Sequence, residues 1–182
     1  MKILENILSH NTPAFIRKII LKELFKATAD GFGCPVPLLG QLSFESYLQA
    51  YARFTCEQAE IALSSGQDKI ALKTRLFQNA FPLGNKLRRW FRINTVDEIM
   101  RISSILYRAI NIDIEGNSLG EITIKRCYFS EYYSNSICDL ISALDDGIFS
   151  GLSGGRRLVF TGRITEGGMC CRAKLLSLKE NM

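Results

Sequence analysis

Histidine occurs once in this chain, as His10, and tryptophan once, as Trp90. A Ser-His-Asp or Cys-His nucleophilic arrangement would therefore need the N-terminus to fold across the rest of the molecule. The sequence also lacks a P-loop, a His-Glu-x-x-His pair and a dinucleotide fingerprint. Its most glycine-dense run, residues 151–155, follows a helical pattern and precedes a strand, the reverse of a phosphate-cradling turn, so it reads as a helix stop. Apolar runs such as residues 19–21 fall far below the about 20 residues of a membrane span, and none is expected. Internal repeats and low-complexity segments are missing too.

What is present bounds the answer further. With 182 residues, 47% of them hydrophobic, the chain has material for a full core and is short for two ordinary domains, so one domain over 1–182 is expected. The opening MKILENILSHNTP carries Glu5, His10 and Asn11 among its apolar residues and no small-residue cleavage pattern. It does not read as a secretory signal, and the cytoplasm is the expected compartment. The six cysteines, at 34, 56, 127, 138, 170 and 171, then read as free thiols or metal ligands rather than bridges. A formal net charge of +5 is concentrated in residues 1–111, which hold 15 Lys+Arg against 9 Asp+Glu, and a spread of that size favours no partner.

The hydrophobic period divides the chain into a helical portion, 1–111, and a strand-helix-hairpin portion, 112–182. Amphipathic spacing predicts helices over 14–29, 44–63, 69–81 and 85–91. A Gly/Pro-dense loop lies at 30–37, Ser64-Ser65-Gly66-Gln67-Asp68 breaks the second helix, and a further break falls at Pro82-Leu83-Gly84. Thr95 with Glu98 is a capping box that opens a further helix to about Ile110. Residues 113–120 read as a turn and 121–129 as a strand. Residues 130–150 form a helix with a wide apolar stripe, and 157–164 and 170–178 are strands joined by a turn at 165–168. This order of elements is α+β: helices packed on a small antiparallel sheet, with one helix between the first strand and the C-terminal hairpin.

Chemistry-bearing residues gather in the last third. On the late helix Cys138 and Asp145 are seven apart and share a stripe at the edge of the apolar face. In the last strand Cys171 shares a face with Ala173 and Leu175, leaving Cys170 with Arg172 and Lys174, so Cys171 is the inward thiol. Strict alternation places Cys127 opposite Ile122 and Ile124. Either a bulge re-aims it or it faces out. Turned inward, it would complete a set of three thiols and a carboxylate, suited to a soft metal or to a nucleophile with a neighbouring base, although the spacing matches no zinc finger or ribbon. The plainer alternative is buried cysteine acting as a small hydrophobe.

The pattern of Cys127, Cys138, the run LDDGIFSGL at 144–152, and ITEGG at 164–168 with Cys171 three beyond resembles the ending of the 4-vinyl reductase domain. It is equally similar to L-2-amino-thiazoline-4-carboxylic acid hydrolases. The resemblance covers about residues 119–178. It implies the fold of the ligand-binding domains of nitric-oxide signalling and Golgi transport, in which helices and an antiparallel sheet enclose an apolar small-molecule or acyl cavity. By motif position it implies Cys127, Gly147, Gly151 and Gly167, with Phe149 and Phe160, as ligand-contacting residues. If the chain is a hydrolase of C–N bonds, Cys138 or Cys171 is the nucleophile or metal ligand and Asp145 or Asp146 the base. The sequence names no cofactor and leaves metal binding open.

Two other surfaces draw attention. Lys86-Leu87-Arg88-Arg89-Trp90-Phe91-Arg92 interleaves cations with aromatics, as phosphate- or membrane-contacting segments do. An amphipathic helix with Leu87, Trp90 and Phe91 inward and solvated cations is the preferred account, and nucleic acid is not an expected partner. Tyr128, Phe129, Tyr132 and Tyr133 offer a contact patch for a non-catalytic scaffold or homodimer, the alternative to a small-molecule-binding domain.

Overall fold

A computed structural model describes residues 12–177. Five α-helices and four strands follow in the order α1 Ala14–Phe32, α2 Phe44–Ser64, α3 Lys69–Phe91, α4 Val96–Arg108, β1 Ile112–Gly116, β2 Glu121–Cys127, α5 Asn135–Ser153, β3 Arg157–Gly162 and β4 Cys171–Leu176. The expected α+β class is what the chain adopts: helices on one small antiparallel sheet, ordered β1-β2-β4-β3.

Local chemistry accounts for the helix ends. Ser43, Asp68 and Ser134 each accept a backbone N–H as N-caps, and Thr95 with Glu98 forms the expected capping box before α4. Gly33 and Gly154 end α1 and α5 in the left-handed conformation, which lets the chain turn without a Cβ clash.

Three expectations are corrected. The break at residues 82–84 does not occur: α3 runs through Pro82 to Phe91. The missing proline N–H is outweighed because one face of α3 packs along α5 through Ala80 and Gly84. Residues 113–120 are not all turn, since Ile112 and Ile114 point inward as β1. Only Asn117–Gly120 turns, with Asn117 Oδ1 accepting the N–H groups of Leu119 and Glu121. Helix 130–150 likewise splits into a short 3-10 turn, Tyr128–Glu131, and α5.

The crossing of α3 and α5 is unusually close because both helices present glycine to it. A Cβ on Gly84 would collide with the backbone at Ile148, and one on Gly151 with the backbone at Phe81 and Asn85. One continuous apolar core joins these helices to α1, α2, α4 and the inner sheet face, where Ile122, Ile124, Leu158, Cys171, Ala173 and Leu175 point. Asp146 clamps the second half of α5 to β3: it accepts Leu158 N at 2.7 Å and Arg157 Nη2 at 2.6 Å, while the guanidinium covers Phe77 at 4.6 Å.

Backbone cannot yield as a side-chain tip does, so Gly84→Ala or Gly151→Ala is expected to destabilise the fold by about 3 kcal/mol. Gly40→Ala, which meets nothing within 4 Å, is expected to be neutral. Urea denaturation of the three variants checks this, and equal midpoints would show that the crossing is loose.

Candidate functional site

Helix α5 has two working faces. One meets α3 through glycine; the other turns Cys138, Ile141, Leu144, Asp145 and Ile148 toward a cavity of about 330 Å³. Its remaining wall comes from α1, α3, α4, both central strands and the β3–β4 connection, and is almost entirely hydrocarbon and aromatic. Cys127, Cys138, Cys171 and Asp145 all line it, together with Phe160.

Cys127 arrives there by a bulge. In the β1–β2 ladder Asp113 pairs with Arg126 but Ile114 pairs with Ile124, so Lys125 is an extra residue on β2. The shift exposes Lys125 and Arg126 together and returns Cys127 to the face of Ile122 and Ile124. A second bulge, at Thr161 of β3, shifts the pairing so that Gly162 rather than Thr161 faces Arg172. Beyond it Arg163 turns inward, against the alternation that would have left it outside with Val159 and Thr161. Its guanidinium donates to Asp139 Oδ1 at 3.1 Å and Ser142 Oγ at 3.3 Å and covers Phe160. Lys69 and Lys73 also pair with Asp139; burial opposes its ionisation, but their hydrogen bonds hold it below the usual carboxylate range.

Among the described residues Asp145 is the one carboxylate on the cavity wall apart from Glu23 at the surface. It accepts the Tyr107 hydroxyl at 2.7 Å. Burial pushes its pKa up to about 6 against that bond, and the neighbouring Asp146 charge raises it further. Around it Tyr51 pairs with Thr28 at 3.0 Å and Tyr133 with Thr55, and burial raises all three tyrosines well above their ordinary range. The thiols behave alike. Burial drives Cys127 to about 12 and raises Cys138 and Cys171, so each is protonated at neutral pH. Cys171 Sγ accepts Ile164 N at 3.4 Å. Thr165 Oγ1 lies beside Cys138 but reaches full hydrogen-bond geometry with no protein group, which leaves a buried hydroxyl unpartnered on the wall.

Other expected site residues serve the fold. Asp146 is the clamp on Arg157 and β3 rather than a base facing the cavity. Phe149 is core, its ring tilted at 49° to that of Tyr107 with centroids 5.7 Å apart; Gly147 and Gly151 are helix-crossing positions, and Gly167 sits in a left-handed turn in open space. Phe129 and Tyr133 are buried, and Tyr128 and Tyr132 pair with each other through their hydroxyls, so the four aromatics make no exposed patch. His10 lies outside the described residues. Among the described residues no three Cys, His, Asp or Glu side chains come close enough to hold a metal ion, and no helix is long and apolar enough to cross a membrane. Sequence reasoning missed Tyr107 and Arg163. The first was hidden within an ordinary apolar stripe, the second behind the bulge. No family model, curated protein or solved structure matches the chain.

An unfolded aspartate titrates near 3.8 and the folded Asp145 near 6. The folded chain therefore holds this proton more tightly, and the carboxyl favours folding at low pH. That contribution is lost as pH rises from about 4 to about 6. Asp145→Asn, which keeps an acceptor for Tyr107, should be more stable than the parent near neutral pH by about 2 kcal/mol, with the gap closing by about pH 4. Asp146→Asn should instead lose about 2 kcal/mol, because Arg157 forfeits its partner. Urea titrations across this range decide between these; a gap for Asp145→Asn that ignores pH would place that carboxyl in water.

Proposed function

We propose that the chain is a small-molecule-binding domain whose ligand is an apolar or acyl-like amphiphile, held tail-inward in the cavity under α5. The carrying observation is the cavity itself. The hollow, about 330 Å³, opens to solvent between α1 and α3, so an unoccupied cavity leaves its hydrocarbon wall against water, at about 25 cal/mol per Å² of apolar surface. A fold with core enough to fill such a space gains nothing by leaving it open, whereas an occupant returns the lost contacts. The volume lies at the lower end of ligand pockets, about 300–1,000 Å³, and the wall is apolar with a few convergent polar groups, as such pockets are. The resemblance to the 4-vinyl reductase domain and the thiazoline-carboxylate hydrolases, and the order of helices, hairpin, helix and hairpin, agree with this reading.

Protonated thiols are poor nucleophiles, and Asp145 is engaged by Tyr107 rather than by sulfur. Both facts support binding over Cys/Asp hydrolysis of a C–N bond. They also set the ligand's orientation. An ionised ligand end placed beside Asp145 would meet both hydrocarbon and a like charge, so an acidic head stays at the opening, near Lys86, and the tail goes in.

The test uses a fluorescent fatty-acid analogue. Saturable one-to-one binding is expected, weakened at least about tenfold by Ile141→Trp, which fills the cavity, and changed less than about threefold by Cys138→Ala or Cys171→Ala. Circular dichroism confirms that each variant is folded. Absence of saturable binding by the folded parent, or its loss in the cysteine variants alone, would overturn the proposal.

A further inference from the structure

Among the described residues the cavity reaches the surface at one place. Of the described residues that line it, only Ile19 and Glu23 on α1 and Lys86 and Trp90 on α3 are exposed, so the mouth lies between these two helices. Around it, large apolar side chains stand in solvent: Trp90 is 66% exposed, Ile19 55%, and Phe15, one turn before Ile19, 65%. This corrects the expectation that Trp90 packs inward with Leu87 and Phe91. Those two are partly buried against the core, while Trp90 is outside with Lys86 Nζ 4.8 Å from its ring.

The charge around the mouth is of one sign. Residues 15–26 and 83–92 together carry eight Lys and Arg against the single acid Glu23. Arg17, Lys18 and Arg88 are committed to backbone carbonyls. The other five, Lys22, Lys26, Lys86, Arg89 and Arg92, are exposed. Apolar side chains standing among cations, with a tryptophan at their centre, suit the boundary between headgroup and acyl chain, where the indole is favoured and each cation near an anionic surface contributes about 1 kcal/mol. A nucleic acid would match the charge but gives Ile19 and Phe15 nothing to enter, and a protein partner would need acidic complement around an apolar centre. We infer that the α1–α3 mouth docks on an anionic lipid bilayer, with Trp90, Ile19 and Phe15 entering the interface and the cations at the headgroups, so that the cavity opens directly onto the acyl layer. This deepens the binding reading by naming where the amphiphile comes from, yet docking is measurable with no ligand in the cavity.

Trp90 is the chain's one tryptophan, so its emission reports the mouth and nothing else. Adding vesicles of mixed phosphatidylcholine and phosphatidylserine to the intact protein is expected to shift that emission to the blue. Phosphatidylcholine vesicles alone should not, and added salt should reverse the shift. Lys22→Glu with Arg89→Glu, neither of which lines the cavity, should lower co-sedimentation with the mixed vesicles at least about tenfold, and Ile19→Ser should weaken it with the charge intact. No blue shift, equal binding to neutral vesicles, or a stronger response to an oligonucleotide than to anionic vesicles would each overturn the docking inference. If vesicles fail while the fatty-acid analogue still binds, the mouth assignment is wrong and the cavity reading stands. If vesicles succeed while the analogue does not bind, the reverse holds.

Discussion

Everything at the candidate site depends on how close α3 and α5 come. Glycines at 84, 147 and 151 let the two backbones approach where any side chain would hold them apart. That contact uses one face of α5 and fixes its rotation, which leaves the face with Cys138, Ile141, Leu144, Asp145 and Ile148 turned toward the sheet and α4. A helix committed on both faces has no solvent side to adjust with. The Asp146–Arg157 clamp and the Asp139 cluster with Lys69, Lys73 and Arg163 then tie its two halves to α3 and the hairpin.

That rigidity explains how a carboxyl survives on an apolar wall. Asp145 would relax toward water if its helix could rotate, but the glycine crossing forbids the rotation. The chain tolerates the group by two local means: a hydrogen bond from Tyr107, and a pKa near 6 that keeps it protonated for part of the time close to neutrality. The neighbouring Asp146 meets the opposite solution at the same helix depth, with full ionic and backbone partners. One residue of helical rotation, about 100°, separates a structural anion from a carboxyl that faces the cavity.

The sequence carried the class, the late helix and the inward Cys171, because these follow from periods of 3.6 and 2 that local residues impose. It carried the gathering of Cys127, Cys138 and Cys171 as one alternative, but not the choice, since a bulge at Lys125 leaves no mark beyond two adjacent polar residues, Lys125 and Arg126. Pro82 misled because local propensity argues for a break and only the tertiary contact with α5 argues for continuity. Gly147 and Gly151 read as ligand-facing by motif position, yet a glycine by itself does not say whether a ligand or a second backbone needs the space. Asp145 and Asp146 were not separable without the helix's rotation.

The two ends of the cavity make opposite demands, and one sequence answers both. Its inner end, among tyrosines, thiols and Asp145, is sealed by core packing and so admits only what can shed its water. Its outer end keeps Trp90 and Ile19 in solvent, a standing cost to solubility. Buried polarity and exposed hydrocarbon are thus inversions of the same ordinary rule, placed at the two ends of a single passage. On the proposed reading, the molecule that suits this hollow is itself inverted along its length, apolar where it enters deepest and charged where it stops.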